Sequence, residues 1–153
     1  MNMVESIRSK KVKVIEIPKW GVYLRKRWEE SFANHLSNKE KESIYLYDED
    51  GLCGYLWHLF SYERRKCLKE EQADIAFNKE IKKSCYVFYQ HLDDAFILEN
   101  ASFITAEDFV NEEDVYVVDK EFSWTYVKTH ETGWCGPYFS KRESSIDSIS
   151  SQL

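Results

Sequence analysis

Residues 85–130 read CYVFYQHLDDAFILENASFITAEDFVNEEDVYVVDKEFSWTYVKTH, and the fold turns on how this stretch divides. Cys85–Gln90 and Ala95–Leu98 are dense in β-branched and aromatic residues and are joined by the polar link His91-Leu92-Asp93-Asp94, which predicts a hairpin. Thr105 followed three positions later by Asp108 predicts the capped start of a short helix. Val115–Val118 and Phe122–His130 predict two more strands across a tight Asp119-Lys120-Glu121 turn. Strict alternation in the second sends Phe122, Trp124, Tyr126, Lys128 and His130 to one side and Ser123, Thr125, Val127 and Thr129 to the other.

Upstream, the grammar is helical. Val12–Ile17 is a short β-branched run closed by Pro18, suited to an edge strand. Between Lys19 and Leu36 the apolar residues Trp20, Leu24, Trp28, Phe32 and Leu36 recur at every fourth position, the spacing of one helical stripe. Ser37 with Glu40 predicts a capped short helix reaching about Tyr45, and Asp48-Glu49-Asp50-Gly51 then breaks the chain. Gly54–Tyr62 is apolar nearly throughout and fits a buried strand or a buried helix equally. Arg64–Lys83 predicts a helix with Ala73, Ala76, Phe77 and Ile81 facing inward. Helices first and strands afterwards indicate one α+β domain over residues 1–140, with N-terminal helices packed on one face of a C-terminal antiparallel sheet. Lys141–Leu153 is serine-rich and is expected to be a flexible tail.

Composition narrows the function classes. A chain of 153 residues supports one core. No apolar run reaches the length of a membrane span, and MNMVESIRSKK lacks the apolar centre of a signal peptide. Cys53, Cys67, Cys85 and Cys135 form no Cys-x-x-Cys pair, which suits a reducing, cytoplasmic setting. The net charge of −6 is unevenly spread: residues 1–83 carry 17 Lys and Arg against 14 Asp and Glu, residues 84–153 carry 4 against 13. Such an acidic half disfavours nucleic acid, whose phosphates could be met only by Lys10-Lys11 and Arg64-Arg65-Lys66. It would attract a basic protein partner. No membrane association and no cofactor are expected.

Two motifs invite chemistry. Trp134-Cys135-Gly136-Pro137 matches the start of a thioredoxin-type redox motif, but Tyr138 stands where the resolving cysteine belongs. Too few residues follow for the helix and strands such a fold needs. Turn chemistry at Gly136-Pro137, with Cys135 packed inward, accounts for the tetrapeptide. His130-Glu131 lacks the second histidine of a His-Glu-x-x-His zinc helix, so no local metal motif remains. His58, His91, His130 and a cysteine would have to converge in space to hold an ion. The aromatic strand face has two open fates. It is core, or, where incompletely covered, it joins Trp124, Tyr126, His130, Glu131, Trp134, Cys135 and Tyr138 in a binding patch.

The segments LWHLFSY (56–62), VFYQHLDDAFILENASFITAEDF (87–109), VYVVDKEFSWTYVKTHE (115–131) and GPYF (136–139) together resemble a family of small proteins from Gram-positive, spore-forming bacteria known only as a domain of unknown function. That resemblance implies no activity and brings no catalytic residue. The VYVVD, FSWTYV and THE pattern is similar, more loosely, to strands of SMI1/KNR4-type immunity proteins, which neutralise bacterial toxins by binding them. Two classes follow: a non-catalytic interaction protein, with toxin immunity as its sharpest form, or a small enzyme or ligand-binding domain using His130, Glu131 and Cys135.

Overall fold

The computed structural model describes residues 2–47 and 54–142. The Asp48–Gly51 break, Cys53 and residues 143–153 of the serine-rich segment lie outside the described residues. The elements are α1 (Met3–Arg8), β1 (Lys13–Glu16), α2 (Gly21–Phe32), α3 (Asn38–Ser43), α4 (His58–Ser61), β2 (Leu68–Lys69), α5 (Glu70–Lys79), β3 (Ser84–Tyr89), β4 (Ala95–Glu99), β5 (Val115–Asp119), β6 (Trp124–Lys128) and β7 (Tyr138–Lys141). Two 3₁₀ turns, Ala101–Phe103 and Ala106–Phe109, lie between β4 and β5. The strands form one sheet in the order β1-β4-β3-β5-β6-β7-β2, and every pair in it is antiparallel. This is a single α+β domain, as the run of helices before strands predicts.

The expected single helical face is one of two. On the first, the stripe Leu24, Trp28 and Phe32 of α2 packs with Leu59 and Phe60 of α4 against Phe88, Tyr116, Val118 and Val127. On the second, α1 and α5 cover Val87, Val115, Val117, Trp124 and Tyr126 with Ile7, Ala73 and Phe77. The reason is visible in β5: Val115–Val118 is apolar at consecutive positions, so both faces of the strand demand cover. Trp28 is the hub of the first layer. Its ring meets Phe32 at 5.1 Å, Phe60 at 5.8 Å and Tyr116 at 5.5 Å, and its indole N–H donates to Thr125 Oγ1 at 2.9 Å, which lets a fully buried tryptophan satisfy its polar atom.

Local readings fare according to how local their causes are. Ser37 and Glu40 form the reciprocal capping box that starts α3, and Thr105 with Asp108 does the same for the second 3₁₀ turn. β1 is an edge strand, and the β3–β4 hairpin spans the 91–94 link. Within Gly54–Tyr62 only His58–Ser61 is helical, as the single turn α4. The helix expected over Arg64–Lys83 is shorter at both ends. Arg65 reaches across to donate to Ser140 Oγ at 3.0 Å and to the Phe32 carbonyl at 3.2 Å, and Leu68 pairs with Phe139. The chain is thus extended until Glu70, whose φ of 56° turns it into α5. At the other end Glu80 is extended and Ile81 is 85% exposed rather than inward. Lys141, where the tail was expected to begin, closes β7 opposite Trp124.

Alternation in β6 holds for Trp124 and Tyr126 against Thr125 and Val127, but Phe122 departs from it. Its φ of 54° turns the side chain into the first core while Trp124 enters the second. Trp28→Ala should lower unfolding free energy by about 3–5 kcal/mol and Trp28→Phe by about 1–3 kcal/mol, the latter reflecting the lost Thr125 bond, as read by equilibrium denaturation.

Candidate functional site

Pairing of Tyr89 with Val115 and of Val115 with Lys128 brings three loops to one end of the sheet: 90–94 after β3, 110–114 before β5 and 129–134 after β6. They carry Asp93, Asp94, Glu112, Glu113, Asp114 and Glu131. The backbone ties them together, since Gln90 N–H donates to the Asp114 carbonyl at 3.0 Å and His130 N–H to Asp114 Oδ1 at 3.2 Å.

Segment 54–58 is docked on the same end. Leu56 N–H donates to Gln90 Oε1 at 2.9 Å, Trp57 N–H to the Tyr116 hydroxyl at 3.1 Å, and Trp57 Nε1–H to Asp114 Oδ1 at 2.9 Å. The Tyr116 hydroxyl in turn donates to Gln90 Oε1. Asp114 is therefore the node of this end. A φ of 50° just before β5 aims its carboxylate back at Trp57 and at His130 Nδ1, which lies 2.9 Å from Oδ2. The His130 ring also packs at a tilt against Tyr55, 5.1 Å between centroids, and faces Glu131 with 3.6 Å between Nε2 and Oε1.

The three histidines do converge, but on a ring. His58, His91 and His130 lie 5.4, 5.2 and 5.1 Å from the centre of Tyr55. His58 Nδ1 is 2.9 Å from the Tyr45 carbonyl oxygen. Among the described residues no three His, Cys, Asp or Glu side chains are placed to share a metal ion. No local spacing links Tyr55 to His91 and His130, so the sequence reading could not have found this arrangement. The nearest signal was the acidic run that contains Asp114.

The seven-residue patch separates into core and surface. Trp124 and Tyr126 are 2% and 1% exposed within the second core, and Tyr138 is 3% exposed within the first. Steric closure of both faces therefore removes these three from any surface patch. His130, Glu131 and Trp134 are exposed, Trp134 at 92%. Cys135 is half-buried. The Trp-Cys-Gly-Pro segment is a turn from β6 into β7. Gly136 has φ 88°, and a Cβ there would meet Thr129 and Tyr138 at 3.2 Å, so glycine is required twice over. Burial and the Glu131 carboxylate both raise the pKa of the Cys135 thiol, the reverse of what an activated nucleophile needs. The groups that act on it are Glu131, Tyr138 and Lys69, none of them a histidine base.

The hydrogen bond to Asp114 raises the His130 imidazole above its ordinary value of 6.5, with burial opposing and nearby carboxylates assisting. The pair therefore stabilises the fold at pH below the unfolded imidazole's pKa, and that contribution is lost as pH rises through the folded value. An NMR titration should place His130 above 6.5 and Asp114→Asn should bring it down. Peptide mapping after brief iodoacetamide treatment at pH 7 should find Cys135 modified far more slowly in the native chain than in the unfolded one.

The chain belongs to the family described as Domain of unknown function (DUF4275), whose model matches residues 1–139. The resemblance carried by residues 56–62, 87–109, 115–131 and 136–139 falls within that span. Comparison with curated proteins and with solved structures yields no match. Among the described residues no helix is long and apolar enough to cross a membrane.

Proposed function

We propose that the chain is a non-catalytic protein-interaction domain that binds a basic protein through the acidic end of its sheet. The observation that carries this reading is the gathering of loops 90–94, 110–114 and 129–134 at that end, with Asp93, Asp94, Glu113 and Glu131 exposed and Trp134 92% exposed on one of them. A carboxylate cluster speeds encounter with a cationic surface, and an exposed indole supplies the buried anchor of a tight interface. Exposed Leu92, at the tip of the hairpin beside Asp93, adds apolar area to the same end.

Toxin immunity is the sharpest form of the proposal: a basic toxin would be held and occluded here. The looser likeness of VYVVD and FSWTYV to immunity-protein strands points the same way. A catalytic site on His130, Glu131 and Cys135 has less support. The imidazole is engaged by Asp114 and packed against Tyr55, and the thiol pKa is raised.

Affinity purification of the full chain from its own cells should recover a basic protein. Its association rate should fall steeply between about 50 and 300 mM salt. Reversing Asp93 and Asp94 to Lys should slow association about tenfold. Trp134→Ala should cost about 2 kcal/mol or more, chiefly through faster dissociation. An association insensitive to salt and to both changes would sink the proposal.

A further inference from the structure

The opposite end of the sheet carries the opposite charge. β7 runs antiparallel to β6 with Lys141 opposite Trp124, so its C-terminal end lies at the end of β6 remote from Lys128 and the acidic loops. A groove of about 930 Å³ opens there between the 64–67 segment, the end of β7 and the region just beyond Ser31 of α2. Arg64, Arg65, Lys66, Lys141 and Arg142 line it, and none of its lining residues is an Asp or a Glu. In a chain of net charge −6 this is a segregated cationic concavity.

Not all of that charge is available. Glu40 meets Arg64 at 3.3 Å and Glu80 meets Lys141 at 3.1 Å, each carboxylate coming from outside the groove lining. Among the described residues no carboxylate pairs with Lys66 or Arg142. Two guanidinium groups are also held in position. Arg65 is fixed by Ser140 and the Phe32 carbonyl, with its guanidinium 5.4 Å from the centre of the Phe32 ring. Arg142 donates through Nη1 to the Phe122 carbonyl at 3.3 Å. Cations already ordered by the fold lose less entropy when they close on an anion. In the other basic pair legible in the sequence, Lys10 is engaged elsewhere, in an ion pair with the buried Asp108 at 2.7 Å.

We propose that this groove binds a compact anion carrying two or more phosphate groups. Its volume falls in the range of about 300–1,000 Å³ typical of small-ligand sites. A concavity of this size encloses a compact ligand and sets its charge beside Lys66 and Arg142, whereas a single-stranded nucleic acid is held along a continuous basic track. Asn34 and Ser31 offer neutral polar groups, and Leu68 with Phe139 an apolar wall, to whatever part of the ligand bears the phosphates.

Isothermal titration of the full chain with pyrophosphate and with ATP tests this. At least one should bind saturably at a one-to-one ratio, with ATP the tighter if the non-phosphate part is recognised and the two alike if the phosphates alone are read. Lys66→Glu should weaken binding about tenfold or more, and Arg142→Gln should weaken it as well, both with thermal unfolding like the parent's. Lys13→Glu, the same charge change on edge strand β1 at the far side of the sheet, should leave binding unchanged. Three results would overturn the proposal: no saturable binding of either probe, equal weakening by the Lys66 and Lys13 changes, or an oligonucleotide of about 12 residues binding more tightly than ATP with affinity that grows with its length.

Discussion

β5 is buried on both faces, and the two helical layers and the alignment of the loops at one end of the sheet follow from it. Val115 and Val117 enter one core while Tyr116 and Val118 enter the other, and all four are fully buried. Each such side chain contributes about 1.5–3 kcal/mol by leaving water, so neither helical layer can be removed without exposing the strand. β5 also pairs with both β3 and β6, which aligns the ends of three strands. The loops that follow Tyr89, precede Val115 and follow Lys128 are therefore neighbours by construction. Asp114, the last residue before β5, inherits a fixed position from which it can hold Trp57 and His130 together.

This alignment gathers like charge at one end, an arrangement that local electrostatics resists. Only part of it is neutralised: Arg25 reaches Asp93 at 3.5 Å, and Lys128 spends its ammonium on the Glu112 carbonyl. A fold that keeps unfavourable charge together with an exposed tryptophan at one end breaks its own local rules there, and such breaks concentrate where a protein binds something. The cationic groove at the other end of β7 completes a division of charge that the net value of −6 conceals.

Much of this was legible in the residues. The every-fourth stripe of α2, the Ser37 and Thr105 capping boxes, the β3–β4 hairpin and the β5–β6 turn follow from local chemistry, and local chemistry is what a sequence displays. The two-residue β2, β7 and the short α1 were not, because their stabilising partners lie far along the chain: Leu68 is extended because Phe139 is there to pair with it. The same reason hid the site. The uneven charge was plain, but the docking of Trp57 on Asp114 spans 57 positions and the Tyr55 ring gathers histidines from three separate segments. Trp124, Tyr126 and Tyr138 were candidates for a surface until the second helical layer and the α4 turn closed over them.

Hydrogen–deuterium exchange on the purified complex tests whether the acidic end of the sheet is the proposed docking surface. Slowed exchange confined to residues 90–94, 110–114 and 129–135, with the α5 face and β1 edge unchanged, is the predicted footprint. Protection that falls on the α5 face or the β1 edge while those three loops exchange as in the free chain would contradict it.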